Sequence, residues 1–365
     1  VQQRVMDNHA ISGYFVFFLI GASQAAANIF NFQSLIVLHA GQDAWLSIII
    51  MGLSLLIIIR MLYSMLGNPS KDVIDIHRSM FGKTIGNAIS LLLVGYFFLM
   101  ALFYFRAYME IVLVWVFPTA RIWMMAAFFI CIFYYVVSGG FRVVAGFSAF
   151  YILLTPLLFW LIFPVRQGEF YNLLPLLNHS LLELLKGSQA SCLPYFGLEA
   201  LLVYFPFLKN AEKHEKWAHF ALLFTLLKYA VIMIVTLMYF SQGLLKHSLW
   251  PMLAMTKIVE TSFLARFEYL FIFLWQLVIV PTVCISIWCC TRIMKRTLAL
   301  KPGLTLPVVL LALFVSALMF TERVQITALK EFVNKLGFYF IFIYIPVLFI
   351  INRFAVKRVN ASSQR

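Results

Sequence analysis

Apolar runs of about 20 residues recur along this chain, separated by short polar segments, and that alternation leaves few architectures open. A run of that length matches the hydrocarbon thickness of a bilayer when it is helical. Inside lipid, every backbone N–H and C=O must be satisfied within its own segment, so such runs cross as helices. Composition agrees. The 365 residues are 63% hydrophobic and 12% charged, with 38 Phe, and the mean hydropathy is +0.95. A soluble domain of this size cannot hide so much apolar surface, whereas lipid solvates it. The expected fold is an all-α integral membrane protein, with residues 1–365 forming a single transmembrane domain.

Ten spans are expected, over residues 11–39, 44–59, 84–116, 122–138, 143–163, 187–208, 218–241, 267–291, 304–321 and 336–352. Two connections, 248–265 and 322–335, read as amphipathic helices on the membrane surface. An even number of spans puts both ends on one side. With the N-terminus inside, 17 Lys and Arg fall in inner segments and 9 in outer ones, while Arg106 and Lys228 lie within spans. The excess of inner positive charge places both termini in the cytoplasm. No charged stretch leading to a short apolar run and a small-residue cleavage site is visible, so targeting is expected from the first span.

The net charge of +14 raises the question of nucleic acid. The basic residues are dispersed over short loops rather than gathered in one stripe, so nucleic acid is not an expected partner and anionic lipid headgroups are. Cys131, Cys192, Cys284, Cys289 and Cys290 all fall inside apolar runs, without a CxxC or a His at zinc-ligand spacing. They read as small buried residues, with no metal or cofactor implied. No Walker loop, HExxH or nucleophile elbow is present, and an enzyme is not expected.

Two spans are not monotonously apolar. The first contains Gly21-Ala-Ser-Gln-Ala-Ala-Ala-Asn28, and the sixth contains Ser188-Gln-Ala-Ser-Cys-Leu-Pro-Tyr-Phe-Gly-Leu-Glu199. Pro194 removes a backbone donor and Gly197 tolerates the conformations that follow a break. Tight packing of small residues in the first span and a simple proline kink in the sixth are the plain alternatives. Spans one and six, however, are equivalent positions of two five-helix halves, residues 11–163 and 187–352. Interrupted helices at equivalent positions point to a midplane binding site between inverted repeats.

Charges at membrane depth are costly and are usually paired or functional. Glu199 follows the sixth-span break and Lys228 sits in the middle of span seven, so the two are expected to pair, either as a static link or as part of sensing. Arg106 and Glu110 share a face of span three near its outer end and read as a structural clamp.

At this point the order of motifs resembles the B subunit of bacterial spore germinant receptors. The residues that carry it are Ala40-Gly-Gln-Asp-Ala-Trp-Leu46, Pro69 with Lys71, and Phe81-Gly-Lys-Thr-Ile-Gly86. Phe105-Arg-Ala-Tyr-Met-Glu110, Pro194-Tyr-Phe-Gly-Leu-Glu199 and Tyr204-Phe-Pro-Phe-Leu208 continue the pattern. The resemblance implies the amino acid–polyamine–cation transporter scaffold, a five-plus-five inverted repeat with broken helices one and six. It also implies residence in the spore inner membrane and assembly with A and C subunits. The implied role is binding a small nutrient, commonly an amino acid, and signalling germination.

A pocket is therefore expected at the breaks, around Gln24, Ala26, Asn28, Tyr195, Gly197, Leu198 and Glu199, where half-helix N-termini can receive a ligand carboxylate. The resemblance implies walls from spans three and eight, where Tyr96 with Met100 and Thr282 with Ser286 each share a helix face. This chain departs from the family pattern twice. Ala26 and Asn28 stand where relatives carry a Gly-x-Gly-like pair, and Arg142 and Gly146 stand where relatives carry an acidic residue and an Arg. Three readings follow: a sensor subunit, a secondary transporter of amino acids or related solutes, and a structural subunit whose ligand site has decayed. Fold alone does not separate them.

Overall fold

The computed structural model describes residues 10–25, 27–67, 71–259 and 266–362. Seventeen α-helices follow one another among them. The first group is α1 (Val16–Gln24), α2 (Phe32–Ala40), α3 (Ala44–Leu66), α4 (Val73–Trp115), α5 (Ile122–Ser138), α6 (Phe141–Ser148), α7 (Phe150–Leu154) and α8 (Ile162–Gln167). The second is α9 (Leu181–Ala190), α10 (Leu201–Tyr204), α11 (Glu215–Tyr239), α12 (Gln242–His247), α13 (Pro251–Thr256), α14 (Phe267–Leu298), α15 (Pro302–Met319), α16 (Arg323–Tyr339) and α17 (Ile345–Ser362).

Among the described residues, seven helical segments are long and apolar enough to cross a bilayer, and eight if the pair Leu181–Ala190 and Leu193–Phe207, bent by 50°, is one span. Gly13–Gln24 and Ile122–Ser138 are apolar but shorter. One of the seven, Phe32–Leu66, contains a turn. A Cβ placed on Gly187 would lie 3.1 Å from the Cβ atoms of both Ala40 and Ser47. Two residues seven apart in a straight helix are about 10 Å apart and cannot both sit there. The chain turns at Gly41, whose φ of +46° favours glycine.

α4 holds two helices joined at Gly82, whose φ of +76° is non-helical. The first is capped reciprocally by Asp72 and Asp75 and folds back on the second: His77 Nδ1 lies 2.8 Å from Ser90 Oγ, thirteen residues on, where a straight helix would put about 20 Å. The apolar stretch of the third span follows that turn. Helix α14 is the central strut. It packs along α4 and also touches α1, α5, α6 and α15. Of its apolar window 72% is buried inside the protein, against 28% for Arg323–Phe354, which is peripheral. Large exposed residues such as Leu92, Leu153, Phe159 and Leu311 line the outer surface, where lipid solvates them.

Both surface-helix expectations need correction. Residues 322–335 do not lie apart on the membrane. They form most of α16, capped by Glu322 and Gln325, which runs on through a π-turn at Phe340–Tyr344 into α17. Ile326, Leu329 and Val333 are buried, and α16 packs on α4, so its apolar stripe faces protein rather than lipid headgroups. In 248–265, the described part holds only α13, whose Met252, Leu253 and Met255 are fully buried, and residues 260–265 lie outside the described residues. Four of the five cysteines are buried as expected; Cys131 is exposed. A two-residue parallel bridge, β1 (Ile11–Ser12) with β2 (Leu208–Lys209), ties the start of the first broken span to the end of the sixth.

Candidate functional site

The two breaks face each other. Helix α1 ends at Gln24, and the chain resumes with a 3-10 turn at Ala27–Phe30 before α2. In the sixth span α9 ends at Ala190, two 3-10 turns follow at Leu193–Tyr195 and Leu198–Ala200, and α10 resumes the helix. Gly197, at φ +111°, sits between those turns, and a Cβ on it would overlap the Cβ of Ser23. Only glycine permits both that conformation and that approach. The Gln24 Nε2 donates to the Tyr195 carbonyl at 3.1 Å, linking one break to the other across 171 residues.

Broken helices leave carbonyls without partners. At the end of α1 these are met by side chains of neighbouring helices. The Thr282 hydroxyl donates to Ala22 O at 3.1 Å, the Tyr229 hydroxyl to Gln24 O, and the Trp275 indole to Ala25 O at 3.0 Å. Thr282 also reaches Val278 O at 2.9 Å, and Ser286 donates to Thr282 O at 3.3 Å. Of the expected wall residues of span eight, Thr282 therefore supports the first break, while Ser286 bonds within its own helix. Trp275 and Tyr229 were not foreseen. The only sequence signal for them is an aromatic ring bearing one N–H or O–H inside an apolar span, which needs a partner when buried.

Glu199 lies at the second break and is almost fully buried. Its Oε1 accepts from the Tyr96 hydroxyl at 3.0 Å and its Oε2 accepts from the Gly197 N–H at 2.8 Å. Tyr96 is stacked on Phe340 with ring centroids 4.2 Å apart. Met100, one turn along α4, and Leu198 are buried in the same core. The Tyr195 hydroxyl turns away from the break and donates to Ile48 O at 3.1 Å.

Several expectations change here. Glu199 and Lys228 are not among the ion pairs of the described residues. Lys228 instead donates to the Tyr151 hydroxyl at 3.3 Å and lies over the Tyr151 and Tyr229 rings, 4.8 and 5.0 Å from their centroids. The rotation of the two helices about their axes directs each charge to different neighbours. The Gly197 N–H is not open to a ligand carboxylate, because Glu199 already occupies it. Arg106 and Glu110 share a face but reach outward. Arg106 Nε donates to Phe320 O at 2.6 Å, in the α15–α16 connection, and Glu110 Oε1 lies 4.0 Å from Nε of Arg323, the first residue of α16. Ala26 lies outside the described residues, as does the side chain of Asn28. Arg142 donates to Ala10 O at 3.1 Å, and Gly146 is exposed with open space where a side chain would stand.

Gln24 Oε1 is buried with no partner among the described residues, and Glu199 brings a carboxylate. A second feature opens toward the His39 end. A cavity of about 420 Å³ is lined by Asn31, His39, Glu110, Lys246, Arg323 and Lys330 among others, and it reaches Ala190 and Asn31, at the edges of the two breaks. Its lining mixes both signs of charge.

An all-α polytopic bundle with two broken helices meeting at a buried polar centre defines a membrane protein of the permease class. The chain belongs to the spore germination protein family, the spore permeases, whose family model matches residues 10–326. It is 35% identical to the spore germination protein GerQB of Bacillus cereus over 97% of this chain and 99% of that protein. It is 23% identical to the spore germination protein A2 of Bacillus subtilis over 76% of each chain, and 22% identical to the spore germination protein YndE of the same organism over 85% of this chain and 86% of the relative.

Proposed function

We propose that this spore germination membrane protein is the nutrient-sensing subunit of a germinant receptor. It binds a small amine-bearing nutrient, such as an amino acid, where the first and sixth spans break. The single observation that carries the reading is the apposition of the two breaks through Gln24, Tyr195, Ser23 and Gly197. Irregular backbone at membrane depth persists only where protein or a cavity covers it, and paired breaks are the usual home of a substrate. Glu199 and the unpartnered Gln24 Oε1 favour a ligand that donates hydrogen bonds, so an ammonium or amide suits the centre better than a carboxylate. The mixed-charge cavity at the His39 end supplies an entry in which a zwitterion meets both signs.

The same reading counts ten spans arranged as two inverted five-helix halves, residues 11–163 and 187–352. The turn at Gly41 supports it by dividing Phe32–Leu66 in two, and the bent pair at 181–207 supports it by forming one broken span. Both termini then face the cytoplasm, in the spore inner membrane, and A and C subunits complete the receptor. The test is direct binding of radiolabelled amino acids to the purified chain, alone and with partner subunits, beside uptake into liposomes. Saturable binding without uptake supports the sensor. Concentrative uptake by the chain alone replaces it with a transporter. Absence of binding even with the partners leaves a structural subunit.

A further inference from the structure

The Glu199 carboxylate at the sixth-span break begins a line of contacts that leads away from the breaks. Its Oε1 accepts from the Tyr96 hydroxyl at 3.0 Å. The Tyr96 ring is stacked on Phe340, with centroids 4.2 Å apart, and Phe340 meets Tyr344 at 4.6 Å. The Tyr344 hydroxyl then lies 2.6 Å from His77 Nε2, on the helix of residues 73–81 that folds back before Gly82. Ser90 donates its only hydrogen to Gly86 O at 2.7 Å. The neutral His77 ring therefore donates to Ser90 from Nδ1 and accepts from Tyr344 at Nε2. Glu199, Tyr96, Phe340 and His77 are all buried, so bulk water does not replace a link lost there.

The far end of the line is tied down, and its middle is not regular helix. Arg296 of α14 holds Asp72 and Asp75, and Arg78 donates to Arg296 O at 2.6 Å and to Asn87 Oδ1 at 2.7 Å. Phe340 and Tyr344 are the first and last residues of the π-turn that joins α16 to α17. Such turns are rare and gather at functional positions. A return to α geometry turns Tyr344 about the helix axis relative to Phe340 and takes its hydroxyl off His77. Residues 81–85, the tip of the folded-back hairpin, are exposed, so a displacement of residues 73–81 reaches the surface.

We propose that the line Glu199–Tyr96–Phe340–Tyr344–His77 carries occupancy of the breaks to residues 73–81, with the π-turn as its two-state element. This rests on the breaks being the nutrient site. A ligand ammonium there competes with the Tyr96 hydroxyl for Glu199 Oε1, which frees the Tyr96 ring to shift against Phe340. Tyr344 and His77 are positioning residues, and losing their contact separates response from binding.

The test has two arms. In the first, hydrogen exchange of the backbone amides in residues 73–81 is followed by mass spectrometry on the purified full chain without ligand. Tyr96→Phe and Tyr344→Phe should each raise it at least about threefold. The double variant Y96F/Y344F should show less than the product of the two single increases, because both act through one line. Tyr108→Phe removes a hydroxyl on the same helix that donates instead to Ile272 O at 2.8 Å, and should leave residues 73–81 unchanged. Native exchange in Tyr96→Phe overturns the relay, as does an equal rise in Tyr108→Phe or a full product in the double variant. If Tyr344→Phe fails to fold, Phe340→Leu should raise exchange by the same factor, and native exchange there overturns the relay.

In the second arm, spores carrying Tyr344→Phe are germinated with an equimolar mixture of the twenty amino acids. They should need at least about tenfold more of it at unchanged receptor abundance, while the purified variant binds the radiolabelled mixture within about twofold of the native chain. Binding lost in step with the response overturns the relay and leaves the nutrient site standing. Absence of binding by the native chain removes the nutrient site, and the exchange arm then decides the relay by itself.

Discussion

The Tyr96 hydroxyl donates to Glu199 Oε1 at 3.0 Å, joining the middle of α4 to the break of the sixth span, while the Gly197 N–H holds the other carboxylate oxygen at 2.8 Å. Removing the phenolic O–H leaves a buried carboxylate short of one donor. Tyr96→Phe should destabilise the protein by about 1–3 kcal/mol. It keeps the ring stacked on Phe340, so the loss isolates the hydroxyl. Thermal unfolding in detergent measures it, and an unchanged transition would show that the bond contributes nothing.

Glu199 and Lys228 have separate partners, so their substitutions should act independently. The losses from Glu199→Gln and Lys228→Met should add in the double variant to within about 0.5 kcal/mol. A coupling of 2 kcal/mol or more, roughly, would restore the ion pair that the helix geometry excludes. Denaturant or thermal unfolding of the four proteins gives the cycle.

Gly197 is constrained by its left-handed backbone and by Ser23. Gly197→Ala should cost about 1–2 kcal/mol for the backbone alone, and more for the overlap. Ser23→Gly, made in the Gly197→Ala background, should recover the overlap part and leave the backbone part. The nutrient response of spores carrying each variant, measured beside protein abundance, shows whether the close approach serves sensing or only folding. Equal stability of G197A and G197A/S23G would mean that the two residues do not meet.

Orientation follows from the charge bias. A cysteine introduced at Gly168 should react with an impermeant maleimide added from outside, and one at Lys213 should react only after the membrane is permeabilised. The opposite result would invert the topology.

The polar break of each span was legible in the sequence because the signals are local. Pro194 and Gly197 disrupt a helix wherever it packs, and Gln24 amid small residues marks a departure from a lipid-facing pattern. The partners were not legible. An apolar run states that a helix crosses and says little about its rotation, so depth suggested a Glu199–Lys228 pair where rotation gives Glu199 to Tyr96 and Lys228 to Tyr151. Residues 322–335 misled for a related reason. An amphipathic stripe looks the same whether lipid headgroups or α4 cover it.

By itself, the sequence determined that this chain is a helical membrane protein, and roughly where two of its helices break, because hydropathy and backbone chemistry act within about 20 residues. Tertiary structure alone decided which carbonyls at the first break are met by Thr282, Tyr229 and Trp275, and that Glu199 takes the Gly197 N–H that a ligand carboxylate was expected to use. These contacts depend on distance and direction between helices far apart in the chain, which no local pattern specifies.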